Sequence, residues 1–272
     1  MLYKVLIMNK YNIDSNKSIS AKTQIIIFKN KKIPIFIFIL FSLFTQTSKA
    51  GPPFFTDDPQ PVNFKHWEYY ISSLNTLHPN DWSGTSPHIE VNYGLIPNLQ
   101  IHLLLPMNYD YPIHRSPDFG YGNTEFGVKY CFIKETENSP QIGVFPIVEI
   151  PTIKNPEFSD GNTQIFLPVW AQKSWGKLTS YGGLGYGINP GVNNKNWIFL
   201  GGEIQYDFTP KFMLGGELYY HSADAVGSKS ITALNIGGSV NFTEKFHFIF
   251  SLGHSLKNDN FFTSYIGILW TI

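Results

Sequence analysis

The sequence is poor in cysteine and in charged residues. Its 272 residues include one Cys, Cys131, and only 15% of them are Asp, Glu, Lys or Arg. A single thiol excludes an internal disulfide and any metal site built from several cysteines. We therefore expect Cys131 to be a small strand residue, and we expect the protein to use no metal and no other cofactor.

An excess of positive charge is also missing. The formal net charge is zero, and eight Lys but only one acid, Asp14, lie before Ala50. The rest of the chain carries twelve basic and nineteen acidic residues and is therefore acidic. Nucleic-acid binding needs a basic face that neutralises phosphates. This charge distribution argues against nucleic acid as a partner.

No apolar run is long enough for a typical membrane-spanning helix. Three Lys precede the apolar run at 33–44, and Ser48 and Ala50 follow at the small-residue positions of a cleavage site. A spanning helix needs about 20 apolar residues, and this run is shorter. The sequence predicts a signal peptide or leader over residues 1–50, cut after Ala50. An uncleaved anchor is the alternative.

Helical periodicity is absent after Ala50, and the chain instead alternates with period two, which predicts strands. Twelve strands are predicted, at 66–77, 86–93, 98–108, 122–133, 140–150, 164–175, 177–188, 197–207, 211–222, 230–242, 245–255 and 263–272.

The connections between these strands alternate in length. Short turns are predicted at 94–97, 134–139, near Gly176, and at 208–210 and 243–244, and longer polar loops at 78–85, 109–121, 151–163, 189–196, 223–229 and 256–262. Short turns on one side and long loops on the other, with an even strand count, are typical of a transmembrane β-barrel. The sequence therefore predicts an all-β protein, a closed antiparallel transmembrane barrel over residues 66–272 in the outer membrane of a Gram-negative bacterium.

Each predicted strand has one apolar and one polar face. Phe, Leu and Ile occupy one face, while Gly, Glu, Gln, Asn and His occupy the other, since successive side chains point to opposite sides. We expect the apolar face to meet outer-membrane lipid and the polar face to line the lumen. The predicted pore-lining residues are Glu68, Glu90, Glu125, Lys129, Glu149, Glu203, Gln205, Glu217, His221, Lys245 and His247.

Two interpretations of this polar set remain open. It could form a mildly acidic lumen that favours cations or neutral polar solutes over anions. It could instead be a network of ion pairs and hydrogen bonds that fills a narrow barrel, because buried charges need partners.

The stretch at 51–65 is rich in Pro and contains Asp57 and Asp58, and Pro cannot donate to a strand ladder. It is predicted to be either an N-terminal extension in the periplasm or a plug in the barrel mouth. The last strand alternates up to Ile266, Ile268, Trp270 and Ile272. Such a strand resembles the signal that the outer-membrane assembly machinery reads, so this machinery is an expected partner.

Several stretches together resemble one protein family. They are GPPFFTDDPQPV (51–62), HWEYY (66–70), VNYGLIPNLQIHLLLP (91–106), YGNTEFGVKY (121–130), LPVWAQKSWG (167–176) and LGGELYYHSAD (214–224). The family is the group of outer-membrane β-barrels labelled "MetA-pathway of phenol degradation". The resemblance covers essentially the whole chain after residue 50, and it implies an outer-membrane barrel with a transport function.

These observations favour a channel or transporter for a small solute that the sequence does not identify. A non-conducting structural or surface-binding barrel is the alternative. We do not expect an enzyme, although His221-Ser222 and His254-Ser255 suggest an outer-membrane lipid hydrolase as a third interpretation. Adjacent strand residues point to opposite faces, so neither pair forms a base and nucleophile by itself.

Overall fold

A computed structural model of the protein describes residues 51–114, 116–152, 158–159 and 161–272. The predicted leader at 1–50 lies outside these residues. No helix in the described part is long and apolar enough to cross a membrane. The strands are β1 (Trp67–His78), β2 (Asp81–Ile96), β3 (Leu99–Pro112), β4 (Asp118–Tyr121), β5 (Thr124–Ile133), β6 (Gln141–Val144), β7 (Ile147–Ile150), β8 (Gln164–Trp175), β9 (Leu178–Ile188), β10 (Trp197–Thr209), β11 (Phe212–His221), β12 (Ile231–Asn241), β13 (Phe246–Lys257) and β14 (Phe262–Thr271).

These strands form one closed antiparallel wall. Two wall strands are interrupted: β4 and β5 both pair with β3, and β6 and β7 both pair with β8. Counting each interrupted strand once gives twelve in the described part of the chain. The first strand pairs with the last over ten residue pairs, from Glu68 with Thr271 to Leu77 with Phe262, and this seam closes the barrel. The predicted fold and strand number are confirmed.

Short turns fall where the sequence predicts them. Asn98 connects β2 to β3 at a φ of 67°, and Gly176 connects β8 to β9 at a φ of 67°. Both residue types tolerate this left-handed conformation better than others, which allows two-residue turns here. We call the end of the barrel that carries these turns the short-turn end, and the opposite end the long-loop end.

The wall separates apolar from polar side chains as predicted. Ile204 and Leu218 are each 53% exposed on the outer surface, whereas Glu203 and Glu217 on the same two strands are 3% and 0% exposed. Aromatic residues such as Tyr206 and Phe208, whose rings are 5.0 Å apart, flank the short turns on the outside. An apolar belt bordered by aromatic rings is the surface that suits a bilayer.

The predicted loop at 78–85 is wrong. Only Pro79 and Asn80 separate β1 from β2, and Leu77 pairs with Trp82 in a long hairpin. This part of the hairpin carries Asn75, Thr76, Ser83 and Thr85, and its polar residues lie on both faces, so the period-two signal that marks a strand is lost there.

The interior is less polar than the sequence analysis proposed. An apolar cluster is buried inside the wall and consists of Phe145, Trp170, Phe199, Tyr219, Ala233 and Phe261. Phe199 and Tyr219, on neighbouring strands, stack with ring centroids 5.8 Å apart and an interplanar angle of 17°. Aromatic side chains therefore share the lumen with the carboxylates.

Candidate functional site

The candidate site is the lumen together with the N-terminal segment, by which we mean residues 51–63. Just after this segment, Phe64 bridges to Gly94, and the Lys65 amide donates to the Gly94 carbonyl over 2.7 Å. Gly94 has no room for a Cβ, which would lie 2.0 Å from the Asn63 carbonyl oxygen. These contacts lie beside the turn from β2 to β3, so the segment begins its path at the short-turn end.

Two amide side chains of the wall hold the part of the segment nearest this end. The Val62 amide donates to Gln100 Oε1 over 2.8 Å, and Gln141 Nε2 donates to Gln60 Oε1 over 2.8 Å. Gln100 is 3% exposed and Gln141 is 6% exposed. The Pro-rich segment forms no continuous ladder with the wall, so side chains supply the partners that its backbone needs.

An ion pair holds the middle of the segment. Lys129 Nζ lies 2.9 Å from Asp57 Oδ1 and 3.7 Å from Asp58 Oδ1. Lys129 also lies over the Phe145 ring, 4.9 Å from its centroid. Burial raises the pKa of Asp58 to about 7, although the Lys129 charge opposes this shift. Lys129 is a predicted lumen residue, while the stretch with Asp57 and Asp58 was predicted to be either a periplasmic extension or a plug, and the structure brings these three side chains together.

Glu217 binds the far part of the segment. Its Oε2 accepts hydrogen bonds from the Phe55 amide over 3.1 Å and from Asn235 Nδ2 over 2.6 Å, while its Oε1 accepts one from the Thr56 amide. Charge-assisted hydrogen bonds of this kind are stronger than neutral ones. Glu217 therefore accepts two hydrogen bonds from the segment, more than any other wall side chain in the described part of the chain makes to it.

A glycine and a serine complete this anchor. A Cβ at Gly201 would lie 2.0 Å from Thr56 Oγ1, so the segment approaches the wall where the wall has no side chain. Ser251 Oγ donates to the Pro53 carbonyl over 2.8 Å. The contacts to the segment thus come from β3, β5, β6, β10, β11 and β13, on many sides of the lumen.

Other predicted lining residues form local networks. Asn92 Nδ2 donates to Glu90 over 2.7 Å, and His102 Nδ1 lies 2.8 Å from Asn92 Oδ1 and 3.5 Å from Glu90 Oε1. The Tyr70 hydroxyl donates to Glu68 over 3.1 Å. These groups support the interpretation of the polar set as a structural network.

Further members of the set are placed as follows. Asn123 donates to Glu149 over 2.6 Å, and His247 Nδ1 lies 2.7 Å from Asn241 Oδ1. Gln205 is 2% exposed, and Glu125 is half-buried on the inner face. Lys245 was predicted to face inward, but it lies in the turn before β13 with an exposed side chain, because β13 begins one residue later than expected.

The two His-Ser pairs do not bring ring and hydroxyl together. His221 Nδ1 lies 2.7 Å from the Ser222 carbonyl oxygen, and the Ser222 hydroxyl accepts from the Ile198 amide over 2.8 Å. The Ser255 hydroxyl donates to the Asp259 carbonyl over 2.7 Å. Within the described residues, no group of three or more His, Cys, Asp or Glu is placed to hold a metal ion.

Some residues of the site were missed from the sequence. The backbone amides of Phe55 and Thr56 and the amide side chains of Gln100 and Gln141 carry no motif. Their role depends on where a Pro-rich segment lies relative to strands far away in the chain. Only the inward register of Gln100 and Gln141, readable from the strand alternation, could have suggested them.

The fold defines the class of protein, a closed transmembrane β-barrel of the bacterial outer membrane. Among solved structures, the chain is similar to an outer membrane channel from Pseudomonas putida F1, with a TM-score of 0.63 and 14% identity over 79% of this chain and 98% of that one.

Two porins share the architecture. The NanC porin matches with a TM-score of 0.53 and 11% identity, and the KdgM porin in complex with disordered oligogalacturonate with 0.50 and 11%. Each match covers 74% of this chain and 98% of the porin. No family model and no curated protein matches the sequence. The likeness supports an outer-membrane barrel, while the phenol-degradation label stays a prediction.

Proposed function

We propose that this protein is an outer-membrane channel that passes small polar solutes, with a preference for cations, through a lumen restricted by its N-terminal segment. The observation that carries this proposal is the inventory of charged groups inside the wall. Glu68, Glu90, Glu125, Glu149, Glu203 and Glu217 belong to the inner face, and the segment adds Asp57 and Asp58. Lys129 is the buried Lys among the described residues.

An acidic surplus in a narrow pore favours cations. The same surplus repels anionic chains, so we do not expect this protein to bind oligogalacturonate as the KdgM porin does. The solute that fits this lumen is small and either cationic or neutral and polar.

The N-terminal segment acts as the restriction in this proposal. Its contacts reach from Gln100 and Gln141 near the short-turn end to Glu217 and Ser251 in the middle of their strands. A segment that binds several sides of the lumen narrows the path of any solute. Displacing it widens that path without breaking a strand ladder.

The outer surface of the barrel indicates its surroundings and partners. Outer-membrane lipid covers the apolar belt, and the assembly machinery recognises the last strand, whose residues Ile266, Ile268 and Trp270 are exposed. This strand also forms half of the closing seam.

Conductance in planar bilayers tests the proposal. We expect the purified protein to give discrete steps, and we expect a salt gradient to give a reversal potential of the sign that cation preference produces. Folded protein that stays silent over many insertions would overturn the channel function.

A single carboxylate allows a clean test of selectivity. Glu125 lies on the inner face and makes no hydrogen bond or ion pair with the segment among the described residues, so Glu125→Gln should lower the cation preference without releasing the segment. Glu244→Gln is the matched control, because Glu244 lies exposed in a turn at the short-turn end. Equal reversal potentials in the two variants would show that the inner charges do not select the permeant ion.

A non-conducting structural or surface-binding barrel is the second candidate. The buried cluster of Phe145, Trp170, Phe199 and Tyr219, together with the segment, favours it because both fill the lumen. The silent bilayer described above would support this function.

A lipid hydrolase is a weaker candidate, since neither His-Ser pair has its ring next to its hydroxyl. We expect no release of fatty acid from phospholipid by the purified protein. Release that disappears in Ser222→Ala or Ser255→Ala would establish the enzyme.

A further inference from the structure

Glu203 differs from the other carboxylates of the inner wall in its surroundings. Glu68, Glu90, Glu149 and Glu217 each accept at least one hydrogen bond from a neighbouring side chain or backbone amide. Glu125 is half-buried on the inner face. Glu203 is 3% exposed, and neither of its carboxylate oxygens has a hydrogen-bond partner among the described residues.

The position of Glu203 makes this lack of partners costly. It lies directly opposite Glu217 in the register of β10 with β11, and Glu217 accepts hydrogen bonds from the Phe55 amide and from Asn235. Like charges directly opposite each other in a sheet repel. Asp58 of the segment also lies close enough to repel a charge on Glu203. A buried charge in this setting needs a positive partner.

Other oxygen atoms near Glu203 are also left without partners. In the ladders of β8, β9 and β10, Gln172 pairs with Tyr181 and Tyr181 pairs with Glu203. The Tyr181 hydroxyl, Gln172 Oε1 and Asp58 Oδ2 are buried, and none has a hydrogen-bond partner among the described residues. Gln172, Tyr181 and Glu203 thus lie side by side on three neighbouring strands, and Asp58 of the segment lies near Tyr181 and Glu203.

The wall leaves space for the Glu203 carboxylate. A Cβ at Gly215 on β11 would lie 2.1 Å from Glu203 Oε1, so this glycine forms the cradle in which the carboxylate lies. The orientation of the side chain is thus built into the wall.

We propose that Glu203 and Asp58, with the Tyr181 hydroxyl and the Gln172 amide oxygen, bind one monovalent cation between the N-terminal segment and the wall. The chemistry fits an alkali ion or the ammonium group of a solute, because Lys129 already offsets part of the negative charge of Asp58 and the site offers fewer oxygen groups than the roughly six to eight that Ca²⁺ takes. The bound cation links Glu203 of the wall to Asp58 of the segment. The role of this site in transport, as the place at which a passing cation binds, rests on the proposed function.

The test measures folding and needs no conductance, so it can fail independently of the channel function. The full-length protein in lipid vesicles is unfolded with urea in potassium chloride and in N-methylglucamine chloride of equal ionic strength, and Trp fluorescence is followed. N-Methylglucamine is too bulky for a site enclosed by wall and segment. Because a ligand of the folded state stabilises it by mass action, potassium at about ten times its Kd should raise the folding equilibrium constant about elevenfold.

The matched variants locate the site. Glu203→Gln should abolish the difference between the two salts, whereas Glu125→Gln should keep it. Tyr181→Phe removes only a neutral oxygen and should weaken the potassium effect several-fold, which keeps the test valid if Glu203→Gln does not fold.

Three results would overturn the proposal. The first is a wild-type protein equally stable in both salts, and the second is a potassium effect that survives in Glu203→Gln. The third comes from infrared spectroscopy of the potassium-loaded protein at neutral pH. A carboxylic-acid C=O band that disappears in Glu203→Gln would show that a proton occupies Glu203 in place of the cation.

Discussion

The wall and the N-terminal segment are held by different kinds of contact. The wall is joined by backbone ladders, such as the ten residue pairs between β1 and β14. The segment is joined to the wall mainly by side chains, namely Gln100, Lys129, Gln141, Glu217 and Ser251. A backbone ladder survives most substitutions, but a contact made by one side chain does not. Point mutations should therefore release the segment while the barrel stays closed.

Replacement of Lys129 should weaken the attachment of the segment to the wall more than any of the other changes below. Lys129→Met leaves the buried Asp58 and the neighbouring Asp57 without their cation, and breaking a buried pair in this way typically costs about 3–5 kcal/mol. We expect larger conductance steps and an unchanged far-UV circular dichroism spectrum. Adding Asp57→Asn and Asp58→Asn to Lys129→Met should restore much of the restriction; a barrel that unfolds instead would mean that segment and wall form one unit.

Glu217→Gln should have the next largest effect. The neutral amide keeps one acceptor oxygen but loses the charge that strengthens the bonds from Phe55 and Thr56, a loss of about 1–3 kcal/mol. Conductance should rise less than in Lys129→Met. Ser251→Ala, which loses one neutral hydrogen bond to Pro53, is the milder control. A larger increase in Ser251→Ala than in Glu217→Gln would contradict the ranking.

Two adjacent glycines, Gly201 and Gly202, allow the steric contribution to docking of the segment to be tested by itself. Gly201→Ala places a methyl group where Thr56 Oγ1 lies, and overpacking of this kind costs about 1–3 kcal/mol. Gly202→Ala is the matched control, because nothing lies within 4 Å of its Cβ position. We expect only Gly201→Ala to loosen the segment in a bilayer recording, and Thr56→Ala should partly reverse the effect. Identical recordings for the two alanine variants would place the segment away from β10.

The smallest expected effect is a pH dependence that originates at Asp58. Burial raises the pKa of Asp58 from 3.8 to about 7, and the charged or titratable groups near it include Lys129, Asp57, Glu68 and Glu203. An acid whose pKa is raised in the docked state stabilises docking below its ordinary pKa, and this contribution is lost as the pH rises towards 7. Conductance should therefore increase between about pH 4 and pH 7, and Asp58→Asn should flatten this rise. If the pH dependence of the conductance persists in Asp58→Asn, it originates at another titratable group.

The regular part of the barrel could be predicted from the sequence, because period-two alternation is a local signal. The faces of β10, β11 and β13 and the short turns at Gly176 and Asn98 agree with it. Interruptions in the wall were not predicted. The break between β6 and β7 falls at Phe145-Pro146, where proline cannot donate to the ladder, yet a single continuous strand was expected there.

The site was less predictable than the wall. Alternation placed Glu217 and Lys129 on the inner face, but it contains no information about which part of the segment they bind. Residue 56 lies 161 positions from Glu217, and a Pro-rich stretch has no periodicity that would set its register. The inward aromatic residues Trp170 and Phe199 were not predicted either, although the alternation places them on the same faces as Gln172 and Glu203, because large apolar side chains were expected only towards lipid.

The closing seam has a consequence for assembly. The backbone of Trp67 pairs with that of Ile272, so the ring is sealed between the residues that begin and end the barrel. Contacts so distant in the chain form slowly, because a long loop must first be closed. The N-terminal segment directly precedes the first edge of that seam and lies inside the finished ring. Its entry is therefore tied in time to the meeting of the two edges, and a chain whose edges join too early would leave this segment outside the ring.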